Sequence, residues 1–183
     1  TVTIRELESG KVIYTFRGAG SNFTLSSDGS RLASDAGNVV KVWDAQRADP
    51  SKLTIQAASS TSIAFTADWQ LLAIASEDRT IRIRDFASGQ ERIALKGHSV
   101  PVWETAFSPD GRRLASAGGG HWNPAVGIVG VSTDDRAELK LWDVETGKEL
   151  FNLPVANGTI GALAFSPNGQ TLASGSGPET HPV

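Results

Sequence analysis

Apolar and polar positions alternate along this chain in short bursts, and each burst ends in a turn signal. Three times a strand-like run enters a polar turn and returns through Leu-Ala: Leu25-Ser26-Ser27-Asp28-Gly29 to Leu32-Ala33, Phe107-Ser108-Pro109-Asp110-Gly111 to Leu114-Ala115, and Phe165-Ser166-Pro167-Asn168-Gly169 to Leu172-Ala173. A degraded copy is Phe65-Thr66-Ala67-Asp68-Trp69 to Leu72-Ala73. The Asp/Asn positions 28, 68, 110 and 168 are separated by 40, 42 and 58 residues. A period near forty predicts a repeat architecture. In the third copy, Val102–Phe107 and Arg113–Ala117 are strands joined by a tight Pro/Gly turn. Glu138–Trp142 alternates as a half-buried third strand, and Lys148–Leu153 follows the Glu145-Thr146-Gly147 turn as a fourth. No stretch carries helical spacing, so the expected class is all-β, with four antiparallel strands per repeat.

Trp43-Asp44 and Trp142-Asp143 close third strands, Gly97-His98 precedes a first strand, and Phe107-Ser108-Pro109-Asp110-Gly111 leads into Leu114-Ala115-Ser116. Recurring in phase over essentially the whole chain, these motifs resemble the WD-repeat β-propeller family. Thr146-Gly147-Lys148-Glu149-Leu150 after Trp142-Asp143 resembles its bacterial form. The resemblance implies four-stranded blades around a channel, with short protected edges. It also implies a structural hydrogen-bond network of His, Ser/Thr, Asp and the third-strand Trp. The third blade supplies His98, Ser116 and Trp142, with Asp134 or Asp135 as the acid from an elongated loop. The first has Ser34 and Trp43 but Ala19 in place of His; the second keeps Asp78 but has Ile74 for Ser and Arg84 for Trp. That second blade is expected to rest on Ile63, Phe65, Leu72, Ile81 and Ile83.

The repeats divide the chain as a single propeller segment: a half-blade at 1–17, blades at about 18–56, 57–95 and 96–155, and a half-blade at 156–183. An opening on Thr1 inside a strand, in a sequence without Met, reads as an excised or processed piece. The expectation is an arc of a larger ring, with a head-to-tail homodimer completing an eight-bladed ring as the second reading and four-bladed closure as the third.

Composition narrows the function. A net charge of −3 and a pI near 5.6, with Lys and Arg scattered, argue against nucleic acid as a partner. No apolar run approaches the length of a membrane span, and no membrane partner is expected. Without Cys there is neither a disulfide framework nor a thiolate metal site, and the compartment stays open with the cytoplasm as default. The sequons Asn22-Phe23-Thr24 and Asn157-Gly158-Thr159 read as chance matches.

His98, His121 and His181 lie far apart, and no nucleophile elbow, metal-binding His spacing or phosphate-loop motif occurs. Gly118-Gly119-Gly120 lacks the Lys of a phosphate loop and reads as a hairpin, and Asp134-Asp135 as a solvated pair. No enzyme, cofactor or metal is expected. Binding is the stronger reading, because Leu114 to Trp142 spans 28 residues against 12 for Leu72 to Arg84. The excess, at about 118–137, holds His121, Trp122, Val126 and Ile128 and includes a Val/Ile run suited to an extra β-ribbon. Trp122 is either a partner anchor or a plug on its own blade. Trp103, near the same face, either binds or packs on a neighbour; Trp69, in the turn of the opposite face, is expected to be partly exposed and is a further candidate. Arg5 and Arg84 stand at third-strand Trp positions, either in inter-blade acid pairs or toward a ligand. The expected function is a non-catalytic scaffold binding a protein or peptide. Its alternatives are a sensor or regulatory domain of a larger multidomain protein and, further off, a propeller hydrolase or lectin.

Overall fold

A computed structural model of the protein describes residues 1–20, 22–26, 29–36, 38–45, 53–57, 59–119, 122–123, 127–128, 137–155 and 160–176. These residues are all-β. Strands β1 (Val2–Arg5) and β2 (Val12–Phe16) form a two-stranded antiparallel sheet. Then come three four-stranded antiparallel sheets. The first holds β3 (Phe23–Leu25), β4 (Arg31–Asp35), β5 (Val39–Asp44) and β6 (Leu53–Gln56). The second holds β7 (Ser60–Phe65), β8 (Leu71–Ser76), β9 (Thr80–Asp85) and β10 (Glu91–Lys96). The third holds β11 (Val102–Phe107), β12 (Arg113–Gly118), β15 (Ala137–Asp143) and β16 (Glu149–Val155). Between β12 and β15 the chain adds a small ribbon, β13 (Trp122–Asn123) paired with β14 (Gly127–Ile128). Strands β17 (Ile160–Phe165) and β18 (Leu172–Ser176) pair at the C-terminal end.

The recurring turn explains the repeat. Ser108 Oγ donates to Asp110 Oδ1 at 2.6 Å and accepts from Arg113 N–H at 2.9 Å, so one hydroxyl closes the loop while Gly111 takes φ +70°. Ser166, Asn168 and Gly169 repeat this arrangement between β17 and β18. In the β15–β16 turn, Gly147 is required twice over. Its φ is +70°, and a Cβ there would sit 2.4 Å from the Ile93 side chain of the neighbouring sheet.

Because the sheets stack in chain order, strands such as β8, β12 and β15 are covered on both faces. One apolar cluster joins Val2 and Phe16 to Leu32 and Trp43; the next joins Val40, Val42 and Ile55 to Ile63, Leu72 and Ile74. A third joins Ile81, Ile83 and Leu95 to Val102, Leu114 and Trp142, and a fourth joins Ala117 and Leu139 to Ile160. The second sheet rests on its apolar residues: Ile63, Leu72, Ile81 and Ile83 are buried, and Phe65 packs against them half-buried.

Strand β15 departs from the expected half-buried pattern. Its polar positions are covered too, with Lys140 only 3% exposed and paired through Nζ to Glu149 at 2.9 Å. A strand between two packed faces has no solvent side, so its polar residues must find partners. The inner strands β3, β7, β11 and β17 lie beside one another and exchange side-chain hydrogen bonds between sheets. Asn22 Nδ2 donates to Thr61 O at 2.7 Å, Thr61 Oγ1 donates to Val102 O, and Ser62 Oγ meets Thr105 Oγ1 at 3.0 Å.

Candidate functional site

The most ordered polar feature is a buried chain of hydrogen bonds at one end of the third sheet. Register places Leu114 opposite Trp142, Ser116 opposite Lys140 and Gly118 opposite Glu138, so these polar side chains share one face. Trp142 Nε1–H donates to Ser116 Oγ at 2.7 Å. His98 Nε2 lies 2.7 Å from the same Ser116 Oγ, and its Nδ1 lies 3.0 Å from Glu138 Oε2. A carboxylate only accepts, so Nδ1 carries the ring proton and Nε2 accepts from the Ser116 hydroxyl. Protons therefore point in one direction, from indole through hydroxyl and imidazole to carboxylate. Ser99 completes the array, donating N–H and O–H to Glu138 at 3.1 and 2.6 Å.

Burial is the main influence on His98 and pushes its pKa below the usual value near 6.5, although Glu138 opposes it. Burial alone would raise Glu138, but the Ser99 hydrogen bonds, with nearby His98 and Lys140, outweigh it and hold the carboxyl below its usual range. The imidazole is therefore neutral in the fold. The unfolded chain binds a proton near pH 6.5 that the native ring refuses, so stability falls as pH drops below that value. Glu138 loses its contribution lower still, as pH falls through its depressed pKa. Glu104, raised by desolvation, acts with the opposite sign. Urea midpoints at about pH 7.5 and 5.5 are expected to drop for the native chain and to change less for His98→Gln; equal drops would remove His98 as the titrating group.

Among the described residues, Glu138 supplies an acid to this network; the expected candidates Asp134 and Asp135 lie outside them. Sequence reading looked for a loop aspartate and passed over a strand residue. The signal was its alternation in phase with Lys140 and Trp142. In the first sheet, Ser34 accepts from Gly20 N–H at 2.9 Å and donates to Asn22 O at 2.9 Å, while buried Trp43 packs edge-on against Phe16. In the second, Asp78 receives Arg82 Nη2 at 2.8 Å and Thr80 Oγ1 at 2.5 Å, which hold its pKa down to about 2 despite the cost of burial. Among the described residues, Arg5 and Arg84 form no acid pair between sheets. Each donates through Nη1 to a turn glycine carbonyl of its own sheet, Gly10 O at 3.1 Å and Gly89 O at 3.3 Å.

Trp103 is half-buried at the start of β11, and its Nε1–H donates to Gly119 O at 3.0 Å, tying the ring to the exit of β12. Trp122 is the backbone pairing partner of Ile128 in the β13–β14 ribbon. His121 and Val126 lie outside the described residues. Trp69 corrects an expectation: it is buried, at 8% exposure. Its ring stacks on Phe65 at 4.1 Å and meets Phe86 edge-on at 5.6 Å, with Arg31 5.9 Å above it. A turn residue that looked solvent-facing is the centre of an aromatic cluster between two sheets, which removes it as a partner anchor. Among the described residues, no three His, Cys, Asp or Glu side chains gather to hold a metal ion.

Comparison with known proteins decides the kind of repeat. Residues 89–123 and 147–177 match the family described as WD domain, G-beta repeat. These two segments match WD40 repeats. A serine-threonine kinase receptor-associated protein of Gallus gallus is 28% identical over 92% of this chain and 45% of its own length. An uncharacterized WD repeat-containing protein of Synechocystis is 30% identical over 94% of this chain and 59% of its own. Eukaryotic translation initiation factor 3 subunit I of Scheffersomyces stipitis is 29% identical over 67% of this chain and 30% of its own. The chain spans about half the length of the curated relatives it matches. The second WD40 match runs from the β15–β16 turn to the end of β18, so it takes in the fourth strand of one sheet and the first two of the next.

Proposed function

We propose that this chain is a non-catalytic scaffold that binds a protein or peptide on the face carrying residues 118–137. The observation that carries this reading is the interruption of the third sheet. The same β-connection that takes three residues between β8 and β9 takes eighteen between β12 and β15, adds a β-ribbon, and starts beside the half-buried Trp103. A long connection on a rigid sheet stack is a common place for recognition. WD40 relatives named for association with a receptor kinase and as a subunit of an initiation factor support an interaction role. A bacterial origin rests on the Thr146–Leu150 motif and the Synechocystis relative.

The test is capture of a cross-linked partner by the native chain, by Trp103→Ala and by Leu7→Ala. Leu7 is fully exposed in the β1–β2 turn, on the opposite face. Loss of a central aromatic anchor is expected to weaken capture roughly thirtyfold, about 2 kcal/mol, while Leu7→Ala leaves it unchanged. Undiminished capture by Trp103→Ala would remove this face as the binding surface.

The exposed apolar residues at the two ends favour a second reading, in which a further blade or a second copy covers them. Val12, Ile13, Phe23 and Leu25 are exposed near the N-terminal sheets, and Leu150, Phe151 and Leu153 on β16. A dimeric mass by light scattering would support a shared ring.

A further inference from the structure

The third and second repeats align with an offset of 42 residues up to the end of β12 and of 58 from β15 onward, because Leu114 faces Trp142 as Leu72 faces Arg84. On that alignment His98, Ser116, Lys140 and Trp142 correspond to Gln56, Ile74, Arg82 and Arg84. In the third repeat these positions are filled by the indole and its hydrogen-bonded partners. In the second, the same space is a cleft of about 390 Å³ between the first and second sheets, with Asn38, Gln56, Ile74, Asp78, Arg82 and Arg84 among its lining residues.

We propose that this cleft is a binding site for a small oxyanion, a carboxylate or phosphate group held by Arg84 and flanked by Arg82, Asn38 and Gln56. Arg84 is the decisive residue. Its Nε is one of two buried side-chain polar atoms without a hydrogen-bond partner among the described residues. Its Nη1 has only the carbonyl of Gly89, at 3.3 Å, and its ion pair with Glu91 is 3.8 Å long, beyond hydrogen-bond distance. Arg82 differs, since Asp78 holds it at 2.8 Å and Glu91 stands 3.7 Å from its Nε.

A buried guanidinium N–H without an acceptor calls for one, and guanidinium geometry matches the paired oxygens of a carboxylate or phosphate. The amides of Asn38 and Gln56 add N–H donors suited to the same ligand. Two acids compete: Asp78, in the lining, is already taken up by Arg82 and Thr80, and Glu91 is easily displaced, given its long contacts to both arginines and its 42% side-chain exposure. The mouth lies among the β4–β5, β6–β7 and β8–β9 connections, so the cleft opens on the face that also carries residues 118–137. A free anion and an acidic side chain of a docked protein would enter by the same route. The site itself stands whether or not that face binds a protein.

The test reads the arginine side-chain Nε–H signals by NMR, with the Arg84 signal assigned by its loss in Arg84→Lys. Sodium phosphate and sodium acetate are titrated separately at fixed ionic strength. The expected result is a saturable shift of the Arg84 signal, while exposed Arg92 moves only slightly and linearly. A response to phosphate alone identifies a phosphate ligand, and a response to acetate identifies a carboxylate; either supports the site. Arg84→Trp restores the residue of the sister repeats and supplies a second readout. Phosphate or acetate is expected to raise the thermal midpoint of the native chain by a few degrees and to leave Arg84→Trp unchanged. An Arg84 signal that follows Arg92, or an equal rise in both proteins, overturns the proposal.

Discussion

Trp142→Ala is expected to be the most damaging single substitution in the chain. The side chain is 1% exposed and fills the interface between the second and third sheets with Leu114, Val102, Ile81 and Ile83. Truncating such a residue costs about 3–5 kcal/mol, which for a protein of this size lowers the thermal midpoint on the order of 10 °C. The loss is not only of volume. Without the indole N–H, Ser116 keeps one buried partner in place of two, and the orientation of His98 loses its anchor. Ser116→Ala removes the hydroxyl that both the indole and the imidazole need and is expected to cost about 1–3 kcal/mol. Because the two residues share a bond, the double variant should lose less than the sum, with a coupling of about 0.5–3 kcal/mol. Chemical unfolding midpoints of the four proteins measure this directly. Strict additivity would mean that Trp142 acts through packing alone.

The second large effect is at Trp69, where the order of two substitutions should invert. Trp69 holds φ +59°, in the left-handed region where the equivalent turn residues are Gly29, Gly111 and Gly169, at +67°, +70° and +67°. A side chain there is strained, by about 1–2 kcal/mol, and is tolerated because its ring sits between Phe65, Phe86 and Arg31. Removing the ring is expected to cost about 3–5 kcal/mol. Trp69→Gly loses the same ring as Trp69→Ala but sheds the backbone strain. Glycine is therefore expected to be the milder replacement by about 1 kcal/mol, against the usual order in which alanine is. Urea midpoints decide it. An alanine variant more stable than the glycine one would show that the backbone at this turn relaxes once the ring is gone.

The strands and turns were legible because they obey local rules. The Ser-Pro-Asp-Gly turns carry their own hydrogen bonds and their own positive φ, and alternation marks the strands whatever surrounds them. His98, Ser116 and Trp142 were legible for the same reason, since each stands at a fixed step from a recognisable turn. Glu138 was not, because its role depends on which face of β15 is covered, and alternation alone cannot say that both are. Trp69 was misread through the same gap. A turn position looks exposed until Phe65, Phe86 and Arg31, from three separate places in the chain, converge on it. The exchange of Trp for Arg84 was visible in the sequence. The cleft it leaves was not, because its walls come from the preceding repeat.

The two junctions between four-stranded sheets use different polar contacts. Between the first two, the Asn22 amide reads a backbone carbonyl of β7; between the second and third, Ser62 meets Thr105 and Thr61 meets Val102. Repeats this alike in outline are therefore not interchangeable parts. Transplanting one of them to another place in the stack would preserve its turns and its strand pattern, yet set amide against hydroxyl and hydroxyl against alkyl along the inner edge. The order of the repeats is itself encoded, in those few side chains.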